Sequence, residues 1–304
     1  MQLQILGSAA GGGFPQWNCG CGNCRAVRRG DDNARPRRQS SLAVRGTRGG
    51  WYLINASPDI REQLELLWDP TSSELRTNPI SGVILTDAEI DHTAGLIFLR
   101  ESTRPIDLYA TTAVRDALSD AFPVLKVLEG YCGVRWHELK VGKVLRLPDE
   151  DDPAIEVEPF AVPADPPLYM GGGEFSETGL AVGLTLRSTA SGRVATYAPA
   201  LARLDTPVLA RIMTSDVVLL DGTFWRNDEL TSVGIGSRTA HDMGHLPLSG
   251  PDGTLARLQD LDGPRKILIH INNSNPVLLE DSDERSIVKA AGFEVACDGM
   301  VIDV

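Results

Sequence analysis

The sequence predicts an α/β (α+β) fold in which two mixed β-sheets pack face to face and helices cover their outer faces. Three observations support this fold class. Short apolar segments such as GVILT (82–86), DVVLLDGTF (216–224) and KILIHINN (266–273) have the length and composition of buried strands. Helix-like segments follow strands in both halves of the chain, and no linker rich in Pro, Gly or Ser divides its 304 residues. A single domain over residues 1–304 is therefore expected.

The elements of the first half follow from local patterns. Residues 41–44 and 51–54 form a predicted hairpin around a Gly/Arg turn, and Thr111 or Thr112 is a candidate helix cap. In residues 58–67, Pro58 lies near a first turn and Ile60 and Leu64 share one helical face. Strands are predicted at 3–6, 41–44, 51–54, 82–86 and 106–110, and helices at 58–67, 96–100 and 111–121.

The second half repeats this arrangement of strands followed by helices. Strands are predicted at 136–142, 144–148, 155–162, 180–186, 194–197, 216–224, 266–273, 294–296 and 300–302, and helices at 208–213, 255–261 and 283–291. Residues 163–178, PADPPLYMGGGEFSET, are too rich in Gly and Pro for regular structure. The length of this loop suggests a lid or a substrate loop.

Charge and composition narrow the classes of function. The net charge of −12 argues against nucleic acid as a partner, and the acidic run at 149–152 is best explained as a solvated loop. No apolar run is long enough to span a membrane, and the N-terminus lacks the pattern of a signal peptide. We therefore expect no membrane association and a cytoplasmic location, where five cysteines indicate no disulfide framework.

Chemically useful side chains follow three of the predicted strands. Asp91 and His92 come just after residues 82–86, Asp221 ends the strand within 216–224, and His270 ends another. Ligand sites form at the carboxyl ends of strands in helix-covered sheets. Each residue alone could be an ordinary polar group at a strand terminus, but the ordered set predicts a metal site.

Two further groups could bind metal. His241 and His245 in TAHDMGH are four residues apart, so they would share one face of a helix, although a pair of surface histidines is the alternative. Cys19, Cys21 and Cys24 form a CxCxxC pattern that favours a structural Zn(II) site over a redox pair or plain thiols.

Ordered motifs over the whole chain carry a family resemblance. TDAEIDH, LLDGTF, MGHL and LIHINN resemble the metallo-β-lactamase superfamily. QILGSAAGGGFPQWNCGCGNC, QSSLAV, NASPDIREQL, IDHTAGL and EVACDGM are similar to segments of the pyrroloquinoline quinone (PQQ) biosynthesis protein B family. The resemblance implies a four-layer αββα sandwich and a role in maturing a peptide-derived quinone, through iron- and O₂-dependent hydroxylation of a tyrosine ring in a Glu-Tyr unit.

The sequence departs from the superfamily's hydrolases at the metal motif. Their HxHxDH pattern supplies imidazoles where Asp87 and Glu89 stand here, and a further histidine is replaced around Ala164 and Asp165. Carboxylates make the ligand set harder, which favours Fe(II) or Mn(II) over Zn(II), and two histidines with one carboxylate are typical of non-haem iron oxygenases. We expect Fe(II) at His92 and His270 with Asp91 or Asp221. His245 is the best additional ligand; Asp87, Glu89 and His241 are second-tier candidates.

Several assignments stay open at this point. Arg61 and Arg238 are candidate anchors for substrate carboxylates, and Asn273 is a candidate fourth ligand at the cysteines. The main hypothesis is an iron-dependent hydroxylase with a Glu-Tyr substrate. The alternatives are a carrier of PQQ or of a late intermediate, and a metal-dependent hydrolase. A homodimer is a candidate for the oligomeric state.

Overall fold

The structure is a computed structural model that describes residues 1–46, 49–73, 75–148, 155–171 and 179–304. The acidic run at 149–152 lies outside the described residues. Of the loop predicted at 163–178, the part up to residue 171 is described and the remainder is not. None of the helices in these ranges has the length and apolar character needed to cross a membrane.

Two seven-stranded mixed sheets form the centre of the fold. The first sheet has the order β14-β1-β2-β3-β4-β5-β6, antiparallel from β14 to β3 and parallel from β3 to β6. Its strands are β1 (Gln2–Gly7), β2 (Ser41–Arg45), β3 (Trp51–Ile54), β4 (Ile80–Ile84), β5 (Ile106–Ala110), β6 (Val134–Glu138) and β14 (Val301–Asp303).

The second sheet mirrors the first in its mixture of directions. Its order is β13-β12-β11-β10-β9-β8-β7, parallel from β13 to β10 and antiparallel from β10 to β7. Its strands are β7 (Leu145–Arg146), β8 (Ile155–Ala161), β9 (Val182–Ser188), β10 (Val194–Ala198), β11 (Val217–Asp221), β12 (Arg265–Ile269) and β13 (Phe293–Val295).

Eight short α-helices and five 3₁₀ segments connect the described strands. The α-helices are α1 (Gly22–Arg28), α2 (Ile60–Glu65), α3 (Ile90–Thr93), α4 (Thr112–Ser119), α5 (Val124–Glu129), α6 (Thr206–Met213), α7 (Thr254–Leu258) and α8 (Asp283–Ala290). The 3₁₀ segments are Ala94–Glu101, Leu168–Met170, Thr231–Val233, His241–Met243 and Pro276–Leu278. Thr111 caps α4 by accepting the Val114 N–H, which settles the choice between the two predicted caps.

Three hydrophobic clusters show how these layers pack. One cluster joins the facing sides of the two sheets, with Leu3 and Ile54 from the first and Tyr197 and Leu219 from the second. Another lies between the first sheet and α2, α4 and α5. The third lies between the second sheet and α6, α7, α8 and α1. The sequence of layers is therefore helix, sheet, sheet, helix, and the predicted four-layer αββα sandwich is confirmed.

The structure corrects some predicted elements. Helix α1 begins within the cysteine motif, with Cys21 as its cap, and α5 was not predicted. The predicted helix at 58–67 is shorter, at Ile60–Glu65. The helix that would place His241 and His245 on one face does not form, and a loop, the other arrangement open to the pair, is found instead: only a 3₁₀ turn forms at His241–Met243, and Gly244 ends it at a φ of 76°. A left-handed residue reverses the chain direction there, so the two imidazoles do not share one face.

The packing between the two sheets gives a direct stability prediction. Leu219 is fully buried in central strand β11 and belongs to the cluster between the sheets. We expect Leu219→Ala to lower the free energy of unfolding in urea by about 2–5 kcal/mol, because it removes buried methyl groups and leaves a cavity. Val144→Ala is the control, since Val144 is 60% exposed and should change stability by less than about 0.5 kcal/mol. Equal losses in the two variants, at equal metal content, would contradict this packing.

Candidate metal centre

Strands from both sheets bring the predicted site residues to one edge of the sandwich. Strand β4 ends at Ile84 and leads into α3, which carries Asp91 and His92. Strand β11 ends at Asp221, and His270 is the first residue after β12. These are carboxyl ends of parallel strands, so their side chains converge.

His92 is fixed by a carboxylate from its own loop. Its Nδ1 lies 2.8 Å from both oxygens of Asp87, and the ring is almost fully buried. Asp87 accepts only, so Nδ1 carries a proton, and a cation that displaces the second proton would find the lone pair of Nε2. Among the described residues the buried Nε2 has no hydrogen-bond partner, although an oxygen of Asp91 lies 3.7 Å away. A carboxylate on one imidazole nitrogen and a free lone pair on the other are the arrangement of a metal-binding histidine.

His270 is held in an uncommon backbone conformation. Its φ is 59°, in the left-handed region that residues other than glycine rarely adopt. The backbone directly after it is held by the Ile271 N–H, which donates to the Ser8 carbonyl. Such strain costs about 1–3 kcal/mol and is typical of functional sites. It turns the imidazole towards Asp91, whose Oδ2 lies 3.4 Å from His270 Nε2.

Asp221 supports two imidazoles at once. Its Oδ2 lies 2.7 Å from His245 Nδ1, and its Oδ1 lies 2.6 Å from Thr223 Oγ1. Thr223 Oγ1 is in turn 2.9 Å from His270 Nδ1. The Thr223 hydroxyl has one proton, and the Asp221 carboxylate is the strongest acceptor nearby. We therefore assign Thr223 as the donor to Asp221, and the His270 Nδ1–H as the donor to Thr223. Backbone N–H groups of Leu201 and Thr223 also donate to Asp221.

All three histidines therefore have an occupied Nδ1 and an available Nε2. The ring centroids of His92 and His270 are 5.2 Å apart, and those of His245 and His270 are 5.5 Å apart. Asp91, His92 and His270 offer ligand atoms within 4.8 Å of one another, as do Asp221, His245 and His270. Both oxygens of Asp221 already accept hydrogen bonds, so Asp91 is the better placed carboxylate ligand, and Asp221 and Asp87 orient the imidazoles.

The charges of the site stabilise one another. Burial would raise the pKa of Asp91, but His92 and His270 hold it well below its usual range. Burial would lower the pKa of His92, but Asp87 and Asp91 outweigh burial and raise it to about 9. Partial burial of the Glu89 carboxyl group, with Asp87 and Asp91 nearby, raises the pKa of Glu89 to about 7. Asp221 likewise outweighs burial and raises the pKa of His245, so without a cation the acidic cluster favours protonation of His92 and His245.

A cavity of about 370 Å³ opens onto these ligands. The described part of the predicted lid loop forms one wall through Pro163, Ala164, Asp165 and Leu168. Gly11 forms part of the opposite wall, where a β-carbon would lie 3.1 Å from Asp91 Oδ2. The glycine-rich turn thus gives the backbone a close approach to the carboxylate ligand.

The remaining predicted residues divide into two groups. Glu89 and Arg238 line the cavity. His241 is exposed and belongs to none of the metal-competent groups among the described residues, and Arg61 is exposed beside a different groove. Thr223 was missed by sequence reasoning; its position two residues after the strand-ending Asp221 was the available signal. The active-site ligand assignments themselves stay predictions.

The three predicted thiols also come together. Sulfur atoms of Cys19, Cys21 and Cys24 lie within 4.8 Å of one another. Asn273 Nδ2 lies 3.1 Å from the Cys19 sulfur, 3.7 Å from that of Cys21 and 3.3 Å from that of Cys24. Oxygen and nitrogen of an amide exchange places on a half-turn of its last torsion. Asn273 can therefore present an oxygen at the centre of the triplet.

One segment, residues 270–275, joins the cysteine cluster to the histidine cluster. It begins at His270, contacts the thiols through Asn273 and ends at the fully buried Asn275. Asn275 Nδ2 donates to the carbonyls of Gly222 at 2.9 Å and Thr223 at 3.3 Å. Asn23, inside the cysteine motif, donates to the carbonyls of Asn273 at 3.1 Å and Asn275 at 3.0 Å.

Comparison with known proteins agrees with this geometry. The profile of the beta-lactamase superfamily domain matches residues 50–271. The coenzyme PQQ synthesis protein B of Cupriavidus necator is 48% identical over 303 residues, covering 99% of this chain and 98% of the relative. The protein of the same name from Methylococcus capsulatus is 43% identical over 304 residues, covering 99% of each.

A solved structure matches over the same range. The crystal structure of Zn²⁺-bound PqqB from Methylobacterium extorquens superposes with a TM-score of 0.89 at 38% identity, covering 100% of both chains. Full-length relatives above 40% identity and a full-length structural match point to the same family. The chain therefore belongs to the coenzyme PQQ synthesis protein B family of the metallo-β-lactamase superfamily.

Proposed function

We propose that this protein acts in PQQ biosynthesis as a mononuclear non-haem iron oxygenase that hydroxylates the tyrosine ring of a Glu-Tyr unit. The observation that carries the proposal is three imidazoles with an occupied Nδ1: His92 and His270 are grouped with Asp91, and His245 is grouped with His270. Histidines with one carboxylate and open positions are typical of non-haem Fe(II) oxygenases. The family name of the relatives supports the pathway.

The donor set fits a divalent cation. The unpartnered Nε2 of His92 is buried, and such an atom is costly unless it receives a partner. Nitrogen ligands from His92, His270 and His245 with an oxygen from Asp91 suit Fe(II), although Zn(II) binds such ligands more tightly by the usual order of affinities. Zinc in the crystal structure of the relative is therefore compatible with either Fe(II) or Zn(II) as the metal bound in the cell. Bound Fe(II) would supply the activation of O₂ that protein side chains lack.

The protein's own contribution is position and exclusion of water. Asp87 and Asp221 orient the imidazoles, and the wall formed by Pro163 and Leu168 would enclose the tyrosine ring of the substrate beside them. The overall reaction replaces one aromatic C–H bond with C–OH, using one oxygen atom of O₂. The second oxygen atom leaves as water, with two protons and two electrons from an external two-electron reductant.

The two alternative functions fit the described residues less well. A dinuclear hydrolase needs imidazoles at positions 87 and 89, but Asp87 directs both oxygens at His92 Nδ1, and Ala164 occupies the region of a further histidine. A carrier of the tricarboxylate PQQ needs a cationic cavity. Among the described residues the cavity is lined by Asp87, Glu89, Asp91 and Asp165, which outnumber its one arginine, Arg238, and of which Asp87 and Asp91 pair with its histidines.

We also infer a structural Zn(II) at Cys19, Cys21 and Cys24. Three thiolates and one further ligand make the usual tetrahedral zinc site. Asn273, which already contacts all three sulfurs, is the fourth ligand in this proposal. Buried Cys24 and the cap at Cys21 fix two of the thiols on helix α1.

The role of Asp87 is tested by Asp87→Asn. An amide is a weaker acceptor than a carboxylate, so the His92 ligand becomes less basic and less well oriented, and affinity for active-site metal should fall about 10–100-fold. Anaerobic Fe(II) titration against a competing chelator measures this affinity. Asp107→Asn is the matched control, because Asp107 makes the same 2.8 Å contact with surface His137. Unchanged iron affinity in Asp87→Asn would count against the assignment.

The link between the two clusters is tested by Asn275→Ala. The variant removes the donor to the Gly222 and Thr223 carbonyls, which position Asp221 and His270. Active-site Fe(II) affinity should fall about tenfold, the lower end of the range for orienting residues, while the zinc at the cysteines is retained. Metal analysis measures the iron and the zinc that the variant binds, and circular dichroism measures whether it is folded. Asn33→Ala, which removes an exposed amide, is the control. If zinc and iron are lost together with the fold, Asn275→Asp, which keeps the acceptor, decides between the two causes.

The reaction itself is tested by admitting ¹⁸O₂ and ascorbate to the anaerobic iron-loaded protein with Glu-Tyr. We expect mass spectrometry to find one ¹⁸O atom in the tyrosine ring. His92→Ala should abolish the product, because it removes a ligand with a free Nε2. If iron-loaded protein leaves Glu-Tyr unchanged and binds PQQ without converting it, the carrier replaces the hydroxylase.

A further inference from the structure

A second cavity adjoins the metal cavity. It has a volume of about 610 Å³ and shares four lining residues with the metal cavity. These shared residues are Pro163, Ala164, Leu180 and Ala181. The two cavities are therefore parts of one cleft, in which the metal ligands occupy one side and the second cavity extends past the ends of β8 and β9.

The two parts of the cleft differ in their charged side chains. Among the described residues, the metal cavity carries four carboxylates, one arginine and the three histidines, whereas the second cavity carries Arg203 and Arg211 with Asp205. An anionic group in the cleft is thus repelled from the acidic wall and attracted to the basic side. A ligand with an aromatic ring and separate carboxylates would be oriented by this difference.

The two arginines differ in how firmly they are held. The Arg211 guanidinium donates to Glu158 at 2.6 Å and to Thr185 at 3.1 Å, and it lies over the Phe160 ring. Among the described residues Arg203 forms one ion pair, at 3.6 Å to Asp205, and its side chain is 65% exposed. Asp205 is also engaged as the cap of α6 through the Val208 N–H. Arg203 can therefore exchange this exposed ion pair, which is weak, for a ligand carboxylate.

We propose that the second cavity is a subsite for the carboxylate end of the substrate, with Arg203 as its specificity-determining residue. This inference rests on the proposed function, because it places the aromatic ring of Glu-Tyr in the metal cavity. Arg211, paired with Glu158, forms a fixed wall beside it. Arg203 thus replaces Arg61, which lies outside the cleft, as the anchor for a substrate carboxylate.

Calorimetric titration of zinc-loaded protein with Glu-Tyr under nitrogen tests the subsite without turnover. We expect Arg203→Gln to weaken binding roughly five- to twentyfold, the range between an exposed ion pair and a charge-assisted hydrogen bond. Arg193→Gln is the matched control, because Arg193 forms a comparably exposed ion pair, at 3.2 Å to Asp216, outside the cleft. Amidation of the peptide's terminal carboxylate should weaken binding to the unaltered protein and have little further effect on Arg203→Gln.

The outcomes separate the subsite from the reaction. Equal affinity of the unaltered protein and Arg203→Gln for Glu-Tyr overturns the subsite and leaves the hydroxylase proposal standing. PQQ is titrated in parallel. If PQQ alone binds, and does so through Arg203, the subsite stands and the Glu-Tyr substrate falls. If neither compound binds the unaltered protein, the subsite and the proposed substrate are both wrong.

Discussion

The site depends on Asp221, a buried carboxylate at the end of β11 that accepts four hydrogen bonds. Through one oxygen it orients His245, and through Thr223 it orients His270. Burial opposes its ionisation, but the neighbouring His245 and His270 keep its pKa below the usual value, so the charge persists. Asp87 accepts the corresponding hydrogen bond from His92 Nδ1, so the Nε2 atom of each of the three imidazoles is left for a cation. A carboxylate that is hydrogen-bonded to an imidazole, directly or through Thr223, thus decides which ring nitrogen is available to a metal.

The position of Asp221 in turn depends on the packing around residues 270–275. This segment passes from the histidine cluster to the cysteine cluster within six residues, and Asn275 ties it to the carbonyls directly after Asp221. Asn23 ties the cysteine motif to the same segment. The cysteine cluster therefore contacts the segment that carries His270. We infer that a metal at the thiols stabilises the geometry of the second metal site as well as the fold around helix α1.

Much of this arrangement follows from the sequence. Apolar strands ending in Asp221 and His270, and the Asp91–His92 pair after β4, were enough to predict the sandwich and the residues that converge. The pairings between side chains could not be predicted from the sequence. Whether Asp87 contacts a cation or an imidazole depends on the side-chain torsions of Asp87, which the spacing of residues does not determine. The loop around His241 was unpredictable for a related reason: a left-handed Gly244 ends the 3₁₀ turn, and glycine spacing alone does not reveal its φ. The basic side of the cleft was also hidden, since Arg203 meets the metal cavity only through the tertiary fold.

In this proposal one cation lies among His92, His245, His270 and Asp91, separate from zinc at the cysteines. Anomalous diffraction at the iron and zinc absorption edges, on crystals of protein loaded with Fe(II) without oxygen, distinguishes the two sites. We expect one iron peak beside the three Nε2 atoms and one zinc peak among Cys19, Cys21 and Cys24. Metal at the cysteines alone, or two metals at the histidine cluster, would contradict it.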